Sequence, residues 1–388
     1  MTLANIPTSG EADDHNVAGL WQRPDGRYLA LYTGHNYGNG AHNGDTAPIT
    51  FYRICTRPND VTAWEPERQI HWPTDDPVGN GWVSVTYSNL HHLTAEGGEK
   101  GRLYNIARAA GQVWTLATSD DWGETWTVRG PLTLPPSGGR AYSNGYVKFW
   151  SNGIDRIDFL MTEAHPRDYN NGLYHGYIQG GKTHDSFGRV IDPDTLGPTG
   201  PQPEAFTPVW TPSQILEAHY HHGWTVQILR DPENTPCALF TTRFGTEVGP
   251  HSRTRPAPGD NDHRLFYARQ EGDQWKSIEV CKMGPGLYDT EEDYTGLAAI
   301  DPRDGRTLFV SSPFDPHSGK PLDGHQLFKV MPDGEGWSWE PLTDHSGSQK
   351  LRPIAKVLKD GQLILLWLQG RYRSMHDYDQ QVMARVFP

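Results

Sequence analysis

An all-β fold is expected for this chain, on three grounds. Gly 42 and Pro 31 make up nearly a fifth of its 388 residues, against about 12% in average usage, and both residues break helices. Trp 14, Tyr 17 and Phe 12 are plentiful, as half-buried strands require. Short apolar stretches alternate with turn clusters, and no helical period is sustained beyond Ser213–Ala218.

Composition also excludes several classes of function. The formal net charge is −13, which is no basic footprint for nucleic acid. The longest purely apolar run, Leu363–Leu368, is far too short for a membrane-spanning helix. Met1–Glu11 shows no basic stretch followed by an apolar one, so no signal peptide is read there. The expectation is a cytoplasmic protein, or a secreted or periplasmic one whose signal has been removed. Cys55, Cys237 and Cys281 are too few and too scattered for a disulfide framework and form no CxxC pair. They read as buried thiols.

Taken in order, the elements repeat one grammar, a turn followed by a strand. Arg23–Pro24–Asp25–Gly26–Arg27 precedes Tyr28–Tyr32, and Glu96–Gly97–Gly98 precedes Leu103–Ile106. Asn152–Gly153 precedes Ile157–Leu160, and Asp231–Asn234 precedes Ala238–Phe240. Glu271–Gly272–Asp273 precedes Trp275, Asp301–Gly305 precedes Leu308–Val310, and Asp360–Gly361 precedes Leu363–Trp367. Seven such repeats, one per roughly 55 residues, match propeller blades with insertions.

Ser119–Trp126 reads S-x-D-x-G-x-T-W, the Asp-box of sialidase-like propellers. Its Asp and Gly make a tight hairpin turn, while its Thr and Trp start and underpin the outer strand. Asp333–Trp339 is a degenerate copy. Gly245–Asp262 and Asp192–Pro203 read as long loops between blades. The expected architecture is therefore one domain over residues 1–388, a seven-bladed β-propeller. Its last strand, Gln381–Phe387, would pair with N-terminal strands and close the ring.

Against this scaffold, polar clusters fall at strand ends. Asp13–Asp14–His15–Asn16 precedes the first strand, and Thr33–Gly34–His35–Asn36 follows the next. With the turn midway between them, His15 and His35 return to one edge of the sheet. Singly, each would be a turn histidine capping backbone groups; together, two imidazoles are equipment for general acid–base chemistry. Tyr87, within Thr86–Asn89, and Arg108 are brought to one rim by the same hairpin logic. Thr162–Arg167, containing His165 and Arg167, and Gly370–Arg373, containing Arg371 and Tyr372, also lie just past strands. Trp82 and Tyr146 are candidates for stacking on sugar faces.

The order and spacing of these segments, with the Asp-box and Asp262–His263–Arg264, resemble the BNR-4 group of seven-bladed propellers over nearly the whole chain. Its characterised members are dominated by polysaccharide lyases: the ulvan lyases of families 24 and 25 and the rhamnose–glucuronate lyases of family 42. The resemblance implies a catalytic set of His15, His35, Tyr87 and Arg108. It also implies substrate contacts from Asn16, Asn89, His165, Arg167, Arg371 and Tyr372. No cofactor is required for the chemistry. Some ulvan lyases carry a Cys/His zinc site; for a structural zinc or calcium ion here, His165, His219, His221, His222 and Cys237 qualify by composition alone.

The implied reaction is β-elimination at a glucuronate or iduronate within a rhamnose-linked, ulvan-like glycan. Arg108 would neutralise the uronate carboxylate, so that the C5 proton becomes removable. Tyr87 would serve as the acid toward O4 and could also act as base. His35 would be the partner base, and His15 would orient the site or contact the carboxylate. Since the global field repels an anionic glycan, binding must come from local arginines such as Arg108, Arg167, Arg371 and Arg373. That favours a short oligosaccharide or a single linkage. The alternatives are an α-L-rhamnosidase-type hydrolase, a uronate dehydratase, or a non-catalytic glycan-binding propeller. A hydrolase needs two carboxylates, and Asp13, Asp14, Glu163 and Asp377 form no obvious pair in sequence.

Overall fold

The computed structural model describes residues 13–38, 47–76, 79, 81–136, 144–166, 169, 171–212, 222–243, 262–288, 293–344 and 347–388. Ser213–Ala218, most of Gly245–Asp262, Arg167, His219 and His221 lie outside them. The described residues form 26 strands and two short 3-10 turns, so the all-β expectation holds.

The strands group into six antiparallel sheets, each built from consecutive segments of chain. The first holds β1 (Gly19–Gln22), β2 (Tyr28–Tyr32), β3 (Ile49–Arg57) and β4 (Asp60–Trp64), with β5 (Arg68–His71) beside β3. The second runs β6 (Thr86–Leu93), β7 (Arg102–Ala109), β8 (Val113–Ser119), β9 (Thr127–Pro131). The third runs β10 (Val147–Ser151), β11 (Arg156–Thr162), β12 (Leu173–Gln179), β13 (Lys182–Asp185), β14 (Val190–Asp192), with β15 (Thr207–Trp210) beside β12. The fourth is β16 (Trp224–Arg230), β17 (Pro236–Arg243), β18 (His263–Glu271) and β19 (Gln274–Gly284). The fifth is β20 (Ala298–Ile300), β21 (Leu308–Phe314), β22 (Pro321–Asp333) and β23 (Gly336–Pro341). The sixth has three strands, β24 (Gln349–Val357), β25 (Leu363–Ser374) and β26 (Asp377–Phe387). This succession of up-and-down sheets is a β-propeller arrangement.

One expectation is corrected. Six sheets are present among the described residues, not seven blades. The turns before β2, β7, β11, β17, β21 and β25 each open a sheet's first hairpin. The seventh, Glu271–Asp273, joins β18 to β19 inside the sheet that Asp231–Asn234 already opens. A hairpin turn reads alike wherever it falls within a sheet, so one sheet is counted twice in sequence. For the anticipated closure of the ring by Gln381–Phe387 and N-terminal strands, residues 1–12 lie outside the described ones; β26 pairs with β25.

The chain divides into two compact units. The first comprises Met1–Asn144, Ser151–Ile157 and Gly176–Phe206. Its core joins Leu29, Leu31 and Ile54 of the first sheet to Leu103, Ala107 and Ala117 of the second, with Trp126 packed against it. The inner strands β7 and β8 are buried nearly throughout, whereas the outer β9 is not. Hence Arg108, near the end of β7, is only 5% exposed.

The Asp-box lies between β8 and β9 as expected. Ser119 Oγ accepts from Gly123 N–H at 2.8 Å, and Asp121 Oδ1 accepts from Thr125 N–H at 2.9 Å. Trp122 and Gly123 take positive φ, 63° and 85°, the second at a position suited to glycine. Asp333–Gly336 turns β22 into β23, the corresponding hairpin of the fifth sheet.

The second unit comprises Gly145–Trp150, Asp158–His175 and Thr207–Pro388. Its cores pair successive sheets: Leu239 and Leu265 with Ile300, Val310 and Phe328, and then Phe309 and Leu327 with Leu363 and Leu365. Leu160 and Leu173 pack with Phe240 and Phe266. Each such side chain contributes about 1.5–3 kcal/mol when fully buried. Within this unit Asp158, fully buried, meets His175 Nε2 at 3.1 Å and Arg230 Nη2 at 3.0 Å. Removing one member of a buried, hydrogen-bonded charge set leaves the others uncompensated. Asp158→Ala is therefore expected to lower the unfolding free energy by about 3–5 kcal/mol, read from urea denaturation, and a loss below about 1 kcal/mol would contradict this role.

Candidate active site

The first unit gathers all four expected catalytic side chains. His15 sits in the turn before β1 and His35 in the turn after β2. The pairing of Gly19 with Leu31 and Gln22 with Tyr28 carries the two turns back to one end of the hairpin. The imidazoles stack, with ring centroids 4.1 Å apart and planes 10° from parallel.

Asp13 holds the pair together. Its Oδ1 lies 2.6 Å from His15 Nδ1 and its Oδ2 lies 3.1 Å from His35 Nδ1. His15 N–H also donates to Asp13 Oδ1 at 2.9 Å, and Asp14 Oδ1 is 3.1 Å from His15 Nδ1. Asn16 Oδ1 accepts from His35 N–H at 2.7 Å. Asn16, expected to touch substrate, thus positions the second histidine.

Tyr87 and Arg108 come from the second sheet. Thr86 pairs with Arg108, and the register shifts between Thr86 and Asn89. Tyr87 and Ser88 therefore occupy a bulge, a device that re-aims side chains. Tyr87 takes φ 66°, an uncommon conformation for a bulky residue and a form of strain that clusters at functional sites. Thr86 Oγ1 accepts from Asn36 N–H at 2.8 Å, which ties the start of β6 to the His35 turn. The Tyr87 ring lies 6.3 Å from His15 and stacks 6.1 Å from Trp114. The Arg108 guanidinium sits 5.1 Å from the Tyr87 ring centroid, a cation–π contact.

The electrostatics follow from this packing. Burial, with the His15 and Arg108 charges assisting and Asp13 opposing, pushes His35 from 6.5 down to about 4. Burial alone would raise the Asp13 carboxyl, but the hydrogen bonds and charge from His15 and the charge of His35 outweigh it and hold Asp13 well below the carboxylate range. At neutral pH, Asp13 is a carboxylate facing a neutral His35. Because the Asp13 carboxylate accepts a hydrogen bond from Nδ1–H, the tautomer places the His35 lone pair on Nε2.

The remaining expected contacts have surroundings of their own. Asn89 Nδ2 donates to Ile106 O at 2.9 Å, a bond internal to its own sheet. Arg371 is exposed on β25 opposite Asp379, and Arg373 pairs with Asp377. In the second unit, His165 meets Tyr146 and Trp224, with ring centroids 5.1 and 6.1 Å away. Tyr372 is buried there, 5.7 Å from the Tyr288 ring, with the Arg352 guanidinium 5.6 Å from both the Tyr372 and Tyr294 rings. Arg352 and the bridging role of Asp13 were not anticipated. For Asp13 a signal existed, an acid two residues before a histidine in a turn. For Arg352, whose neighbours are distant in sequence, there was none.

Metal-binding capacity also lies in the first unit. Among the described residues, Asp13, His15 and His35 are the one group of three ligand-type side chains with donor atoms within 4.8 Å of one another. His222 Nδ1 lies 2.7 Å from Pro166 O. Cys237 Sγ is buried beside the Tyr267 hydroxyl at 3.4 Å, and burial pushes its thiol up to about 11.

Neither a family model nor a curated protein matches the chain, so membership of the BNR-4 group finds no support in a family match. Solved structures do resemble it. A polysaccharide lyase of family PL25, an ulvan lyase, superposes with a TM-score of 0.60 at 11% identity, covering 95% of this chain and 78% of that one. The PL25 ulvan lyase bound to -[GlcA(1-4)Rha3S]- gives 0.59 at 12% identity, with 95% and 78% covered. The α-L-arabinanase of Penicillium chrysogenum in complex with arabinobiose gives 0.50 at 15%, with 98% and 95% covered. At such identities the likeness is one of fold: the chain has the fold of these carbohydrate-active enzymes, lyases and a hydrolase among them.

Proposed function

We propose that the site in the first unit performs β-elimination at a uronic acid, cleaving the bond to O4 and leaving a 4,5-unsaturated uronate. The observation that carries this reading is the conjunction of a guanidinium, a phenol and a neutral imidazole around one point: Arg108 beside Tyr87, and Tyr87 beside the histidine pair. The fold likeness to a lyase bound to a glucuronate–rhamnose glycan supports the same substrate class.

Each step has a residue suited to it. Arg108 pairs with the uronate carboxylate and stabilises the negative charge that develops there as C5 loses its proton. His35 Nε2 takes that proton. The C5–H electron pair becomes the C4=C5 double bond and the C4–O4 bond breaks. Tyr87 gives its hydroxyl proton to the departing O4 and recovers one from solvent, to which His35 releases the C5 proton. His15, held by Asp13 and Asp14, fixes the plane against which His35 stacks. The arabinanase likeness keeps a hydrolase as the second reading. In that case the carboxylates near the site, Asp13 and Asp14, would carry the chemistry, yet both bond to His15.

Incubation with glucuronate–rhamnose oligosaccharides should produce near-ultraviolet absorbance from a conjugated unsaturated uronate. Release of sugar without that absorbance would establish a hydrolase, and loss of water by mass a dehydratase. Tyr87→Phe and Arg108→Ala should each lower kcat by about 100-fold or more; full activity in both variants would overturn the site. In the pH profile of kcat/KM, the acid limb should fall near the His35 value of about 4 rather than the ordinary 6.5, since protonation removes the base. A limb at the ordinary imidazole value would show that His35 is not the base.

A further inference from the structure

The second unit carries two cations and a row of aromatic rings that the elimination chemistry does not use. Arg352 lies on β24, where the register against β25 shifts between Leu351 and Ile354. It takes φ 53°, so it sits in a bulge that re-aims its side chain, as Tyr87 does on β6. Its N–H donates to Gly296 O at 2.8 Å, which ties the bulge to the segment before β20. The guanidinium is thereby set between Tyr294 and Tyr372, 5.6 Å from each ring centroid. From Tyr294 the rings continue to Trp224, 5.8 Å away, and from Trp224 to Tyr146, 5.0 Å away. Tyr146, Trp224 and Tyr294 are half-buried, so each keeps part of its surface in solvent.

Lys148 stands on β10 in the same unit, two residues beyond Tyr146, a spacing that puts both on one face of an extended chain. It is exposed to solvent, yet protein surrounds it: burial and the Arg352 charge both hold its ammonium below the ordinary lysine value. Exposure and enclosure coincide on the wall of a recess. Among the described residues, Arg352 is the one charge that acts on Lys148.

We propose that Lys148 and Arg352 hold the anionic group of an acidic sugar, a carboxylate or a sulfate ester, whose ring lies against Tyr146, Trp224 and Tyr294. Two like charges in an enclosed place disfavour each other, and one oxyanion between them turns that repulsion into two ion pairs. The arginine fork suits bidentate binding of either group, and the lysine adds a point charge. The apolar C–H face of a pyranose packs on aromatic rings while its hydroxyls keep their water. With a net charge of −13 the whole protein repels an anion, so a local cation pair must supply the attraction. The site is built from the second unit's own residues and holds whether or not the first unit performs elimination.

Ligand-observed NMR titrations of the full chain test this with three sugars that share one ring: methyl glucuronide, methyl glucoside 6-sulfate and neutral methyl glucoside. Arg108→Ala serves as the background, so that binding at the first-unit site does not contribute. At least one acidic sugar should bind, with the neutral one about tenfold weaker or worse. The tighter of the two acidic sugars tells a carboxylate site from a sulfate site. Lys148→Gln and Arg352→Gln should each raise the Kd of that sugar about tenfold or more, with an unchanged circular dichroism spectrum. Equal binding of the neutral and acidic sugars, or no binding of either acidic one, would overturn the proposal. So would acidic-sugar binding that either variant leaves unchanged.

Discussion

The candidate site depends on one carboxylate shared between two imidazoles. Asp13 takes an Nδ1 atom on each of its oxygens and so brings two rings face to face that would repel if both were charged. The arrangement settles the charge: the acid is ionised, His35 stays neutral, and its lone pair points from Nε2. Arg108 contributes twice, as the cation beside Tyr87 and as a charge that disfavours protonation of His35. Acid, base and carboxylate-binding group therefore belong to one electrostatic unit.

The sheets supply the rigidity this unit needs. The histidines sit on short turns at one end of the β1–β2 hairpin, and Tyr87 sits in a bulge at the start of β6. The Asn36–Thr86 hydrogen bond and the paired backbone of Tyr37 and Val85 join the two sheets at that place. The positive φ of Tyr87 costs of order 1–3 kcal/mol, offset by its packing against Trp114 and Arg108. A strained phenol held between a cation and a histidine pair is consistent with a proton donor set in position before substrate arrives.

Much of this was legible in the sequence. Twenty residues around a central turn suffice to bring His15 beside His35, because a hairpin's geometry is local. The same holds for Tyr87 and Arg108 and for the Asp-box. The sheet count was not legible, since Glu271–Asp273 carries the same residues as a first hairpin turn. Nor were the places of Asn89, turned into its own sheet, or of His165 and Tyr372, which fall among the aromatic rings of the second unit. Those outcomes depend on register and on contacts between residues distant in sequence, which no local pattern encodes.

The central claim is that burial keeps His35 neutral and that the hydrogen bond to Asp13 fixes its Nδ1-protonated tautomer. Nitrogen-15 NMR of the histidine rings, followed from neutral to acid pH, tests it directly. His35 should give the spectrum of the Nδ1–H tautomer, titrating near 4 and changing tautomer in Asp13→Asn. An Nε2–H tautomer in the unaltered protein, or titration at the ordinary 6.5, would contradict it.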